Sequence, residues 1–95
     1  MMSEIPAKIV KLEQKETDKE ILRAGIIAEL DAVSLYEQMA AMTRDPKIKA
    51  VLMDIAKEEK THAGEFQALL VQLDPQQGQE LAAGKKEVDK LAGEL

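Results

Sequence analysis

Residues 47–73 read KIKAVLMDIAKEEKTHAGEFQALLVQL. Within this stretch Ile48, Leu52, Ile55, Glu59, His62, Phe66, Leu69 and Leu73 recur at steps of three or four, so they share one face of an α-helix. Six of the eight are apolar. The central two are a carboxylate and the only histidine of the chain. A charge set inside an apolar row is costly unless it is paired or holds a metal ion.

Upstream, Thr43-Arg-Asp-Pro46 breaks the pattern. Pro46 disfavours helix at Asp45 and suits the first position of a new helix, with Asp45 as its cap. The second helix is therefore expected over 46–73, ended by Asp74-Pro75. Before the break a first helix is expected over 17–43. Its stripe is Leu22, Ile26, Glu29, Val33, Tyr36 and Ala40, again with a carboxylate inside an apolar row. Thr17 with Glu20 reads as a capping signal or, equally, as a polar turn within the helix. Residues 1–16, interrupted by Pro6, read as an N-terminal arm. Residues 76–93 read as a shorter third helix, weakly patterned through Leu81, Lys85, Val88 and Leu91 and interrupted by glycines.

A turn as short as Thr43–Pro46 forces the first two helices antiparallel. Glu29 lies sixteen positions before Asp45, and Glu59 and His62 lie fourteen and seventeen after it. At ~1.5 Å rise per residue these distances match to within about a turn. Glu29 is thus expected to face Glu59 and His62 across the hairpin.

Composition agrees with an all-α fold. The 95 residues make one small domain, a third of them charged and 2% aromatic. Two helices with such small apolar residues cannot close a core alone and must bury a face against another chain. The absence of cysteine excludes disulfides, Cys-ligated zinc and iron–sulfur or rubredoxin-type centres. Any metal must be a hard or borderline ion held by oxygen and nitrogen. A net charge of −5 makes nucleic acid and anionic membranes poor partners. No apolar run has the length of a membrane span or a signal-peptide core, so a soluble, cytoplasmic protein is expected.

Glu-x-x-His at i, i+3 is the ligand pair of ferritin-like di-iron carboxylate proteins, which need one Glu from each of two helices and a Glu-x-x-His from each of two others. This chain supplies Glu29, Glu59 and His62, half of that set. A homodimer about a twofold axis would supply all of it, with two metal ions per dimer, and would complete a four-helix bundle. Iron is the expected ion, and manganese, zinc or calcium suits the same donors in a crystal.

Glu29-Leu-Asp-Ala-Val-Ser-Leu-Tyr36, followed by Glu58-Glu-Lys-Thr-His62-Ala63, resembles the rubrerythrin/ferritin-like superfamily. The half-length build resembles the encapsulated ferritins. That resemblance implies a metal-bridged dimer within a decameric ring, ferroxidase activity, and an encapsulin shell as partner and compartment. It implies Glu29, Glu59 and His62 as ferroxidase ligands, Tyr36 beside them, and Asp31 as an acid guiding metal uptake. Ala28 stands where the uptake path often carries a second carboxylate. Lys90–Leu95 shows no Gly-Ser-Leu-type docking segment.

Plainer readings stand beside these. His62 can be a boundary histidine bonded to Glu59 or Glu58. Glu58 and Glu65 are register competitors of Glu59, being i−4 and i+3 from His62. Met39, Met42 and Met53 read as core filler. The functional expectation is a ferroxidase that oxidises Fe(II) with O₂ and feeds iron storage. The alternatives are a non-catalytic metal-stapled helical assembly and a rubrerythrin-like peroxidase with a separate electron donor.

Overall fold

The computed structural model describes residues 13–95. Three helices follow one another: α1 (Gln14–Met42), α2 (Pro46–Leu73) and α3 (Pro75–Ala92), with no strand among the described residues. Most of the expected arm lies outside the described residues, and its last three positions already belong to α1.

α1 starts earlier than Thr17. Glu13 stands before it in extended conformation and makes no side-chain cap bond. The Glu16 and Thr17 amides donate to the Glu13 carbonyl at 3.0 and 3.1 Å. The Thr17 hydroxyl donates to that same carbonyl at 3.5 Å. A hydroxyl bonded back to the i−4 carbonyl is how threonine sits inside a helix. Of the two readings of Thr17, the polar turn within the helix is the one observed, and the cap is not.

The other boundaries follow the sequence. The Thr43 amide donates to the Met39 carbonyl at 3.2 Å and closes α1. The Asp45 carboxylate accepts from the Lys47 and Ile48 amides at 2.8 and 3.3 Å, satisfying donors that the start of α2 leaves free. Pro46 occupies the first turn, where its missing N–H costs nothing. At the far end a single residue, Asp74, separates α2 from α3, and Pro75 opens the new helix. Arg23 of α1 reaches Glu20 at 2.9 Å and Asp74 at 3.3 Å, tying this corner to α1. Lys60 of α2 pairs with Glu37 of α1 at 3.0 Å.

The seam between α1 and α2 combines three alanines with a valine and a leucine. Val33 and Ala40 of α1 and Ala56, Ala63 and Leu70 of α2 are the buried residues. Alanines let two helices approach closely, which moves the larger side chains to the flanks. The apolar stripe of α2 therefore runs beside the seam, one position before it. Leu52, Ile55, Phe66 and Leu73 are half-buried, while Ile48 and Leu69 are exposed. No large side chain is fully enclosed among the described residues. Met39, Met42 and Met53 are exposed and are not core filler, because their positions fall outside the rows that hold Val33 and Ala40 on α1 and Ala56, Ala63 and Leu70 on α2.

Among the described helices, α3 packs against α2 alone. None of its residues is buried, and Leu81, Val88 and Leu91 point outward. No helix among the described residues is long and apolar enough to cross a membrane.

Candidate metal centre

The antiparallel hairpin brings Glu29 of α1 level with Glu59 and His62 of α2, halfway along both helices. One donor atom from each lies within 4.8 Å of the other two, and the group is half-buried. The imidazole Nδ1 stands 3.5 Å from Oε2 of Glu29 and 3.5 Å from Oε2 of Glu59. Both glutamate side chains keep only 20% of their exposure and the imidazole keeps 45%. Glu59 and His62 share a face because they are i, i+3 on one helix. Glu29 joins them because the three-residue turn leaves equal lengths of helix on either side.

Glu29 Oε2 is buried and accepts no hydrogen bond. Buried polar atoms are almost always satisfied, so an orphan needs a reason. Two carboxylates converging on an imidazole, with one buried oxygen that accepts no hydrogen bond, are a donor set that could hold a cation. The set has the hard and borderline character that iron, manganese and zinc accept.

The register competitors do not join the group. Glu58 and Glu65 are exposed and point elsewhere on α2. Tyr36 is half-buried on the same face of α1, two turns beyond Glu29, and its hydroxyl bonds to none of the three. Asp31 is exposed, and two positions from Glu29 places it on the opposite side of α1. Among the acids and the histidine of the described residues, the structure unites Glu29, Glu59 and His62.

Comparison with known proteins shows the family. The family model described as Rubrerythrin matches residues 20–92. The "Ferritin-like-encapsulin shell fusion protein" of Pyrococcus furiosus is 56% identical over 79 residues. The chain belongs to the rubrerythrin family. A crystal structure of the encapsulated ferritin domain from Pyrococcus furiosus superposes with a TM-score of 0.82, at 48% identity, covering 95% of each chain. Within the rubrerythrin family, the chain's likeness is to encapsulated ferritins. The "Encapsulin nanocompartment cargo protein EncC" of Myxococcus xanthus is 39% identical over 80 residues. The alignments cover 83% and 81% of this chain but only 23% and 59% of those two relatives.

The residue that sequence reading passed over in this rubrerythrin-family hairpin is Gly25. A Cβ built on it would stand 3.1 Å from Cδ2 and Cε2 of Phe66. The available signal was a lone glycine in α1, four positions before Glu29 on the same face.

Proposed function

We propose that this chain is a ferroxidase whose site is completed by a second copy of itself. The observation that carries the reading is the unsatisfied, buried Glu29 Oε2 beside Glu59 and His62. Three donors are half of a di-iron carboxylate set. Fe(II) is the substrate, each ion giving up one electron, and dioxygen accepts the electrons and is reduced with protons from solvent. Carboxylate-rich donors favour the ferric product, which suits this direction of electron flow.

The pattern of the stripes supports the shared site. On α2 the pairs Ile48 and Leu73, Leu52 and Leu69, Ile55 and Phe66, and Glu59 and His62 are each symmetric about the point between Lys60 and Thr61. On α1, Leu22 and Tyr36 flank Glu29 at equal distance. The hairpin sets these two midpoints at one level. A twofold axis perpendicular to the helices, passing through the site, would then place apolar residue on apolar residue and Glu59 by His62 of the other copy. Shallow apolar grooves lie at both ends of the hairpin, at Ile48, Val51 and Leu52 and at Ile21, Leu22, Leu69 and Leu73. Such a dimer would cover both.

Likeness to encapsulin-associated relatives supports a role as encapsulin cargo, with oxidised iron delivered into a nanocompartment. Assembly of such dimers into a larger ring belongs to the same reading.

Native mass spectrometry after anaerobic Fe(II) loading tests the site. An even number of chains carrying about one iron per chain is expected, followed by O₂ consumption faster than Fe(II) autoxidation in buffer. Assemblies without stoichiometric iron would reject the site. Stoichiometric iron oxidised no faster than in buffer would leave the metal as a staple and reject the enzyme.

A further inference from the structure

Gly25 and Phe66 meet one turn below the carboxylate cluster, on the side of the open end of the hairpin. Gly25 is four residues before Glu29, and Phe66 is four residues after His62. A Cβ on Gly25 would lie 3.1 Å from Cδ2 and Cε2 of Phe66 and 3.3 Å from Cγ, so the ring rests on the bare backbone of α1. Long side chains on a helix lean toward the N-terminus of their own helix. Phe66 accordingly leans toward His62, and Glu29 leans toward Gly25. In an antiparallel hairpin both lean into the same gap.

We propose that Phe66, seated on Gly25, is a positioning residue for the Glu29–Glu59–His62 cluster. The ring supports the imidazole from below and keeps water from the Glu29 oxygen, so that this oxygen stays free for a cation. Gly25 supplies the seat, since a Cβ there would push the ring by a few tenths of an ångström. The inference rests on the metal reading of the site, but the placement of the ring is testable without metal.

The test uses the full chain as Phe66→Leu, Gly25→Ala and the double variant, each checked for helical content. Two readouts are taken: Co(II) affinity by competition with a chelator, and the NMR resonances of the His62 ring protons in metal-free protein. Phe66→Leu is expected to weaken Co(II) binding by about 10-fold or more, within the range seen when the shell around metal ligands is disturbed. It is also expected to move the His62 resonances, because the aromatic ring current is lost. Gly25→Ala is expected to produce a smaller loss alone and no further loss on top of Phe66→Leu. Wild-type affinity and unmoved His62 resonances in a folded Phe66→Leu protein would overturn the proposal, as would fully additive effects in the double variant. If Phe66→Leu fails to fold, Gly25→Ala decides by the same two readouts. A wild-type protein that binds no Co(II) would count against the metal reading itself, and the His62 resonances would still decide where the ring sits.

Discussion

His62 supplies the only nitrogen donor in the chain's cluster, and no other histidine can replace it. His62→Ala is expected to lower iron stoichiometry and to slow Fe(II) oxidation at least tenfold, while leaving helical content intact, because the imidazole is only half-buried and packs little. Iron titration with stopped-flow oxidation checks this. Glu29→Gln separates two consequences of one carboxylate. Without metal, an unpaired buried oxygen costs on the order of 1 kcal/mol or more, and the amide can donate to Glu59. The variant is therefore expected to melt higher than wild type when metal-free. It is also expected to lose most of the stabilisation that metal gives the wild type. Thermal melts with and without added Co(II) measure both effects. Glu58 and Glu65 bear differently on function. Both are exposed, so Glu58→Gln and Glu65→Gln are expected to leave iron stoichiometry unchanged.

The helix boundaries carry their own energetics. Asp45 accepts two amides at the start of α2, so Asp45→Ala is expected to cost about 1 kcal/mol of stability without altering metal affinity. Chemical denaturation beside a metal titration shows whether the two separate. Thr17 was ambiguous between a cap and a mid-helix turn because Thr-x-x-Glu fits either. The i−4 carbonyl that decides it belongs to Glu13, at which the sequence carries no start signal. The turn at Thr43–Asp45 was legible because Pro46 and Asp45 each have one low-energy role there. α3 was legible as a helix from Pro75 onward. Its packing on α2 alone was not, since that depends on the angle set at Asp74.

At the scale of the whole molecule, the seam closes the hairpin and leaves most of the larger apolar residues at its flanks. A hairpin that leaves so many large apolar side chains exposed should gain stability by association. Its melting temperature is expected to rise with protein concentration. Leu52→Asp and Leu69→Asp, each on the uncovered stripe, are expected to shift the protein toward monomer and to lower iron loading together. Analytical ultracentrifugation of these variants, beside the wild type, measures the association. A monomeric wild type at micromolar concentration that still loads iron would contradict the shared site.

Helix number, the antiparallel turn and the level of Glu29 with Glu59 and His62 were determined by the sequence alone. Each follows from local rules: the 3.6-residue period, the conformations open to proline, and a fixed rise per residue. On α1 the buried Val33 and Ala40 belong to the stripe that periodicity picks out. On α2 the row that closes the hairpin was decided only in three dimensions: Ala56, Ala63 and Leu70 lie one residue after the large apolar row that periodicity ranks first. Two alanines in that row let the helix backbones approach closely. The same packing leaves the methionines exposed, Glu29 Oε2 without a hydrogen bond and Phe66 against Gly25.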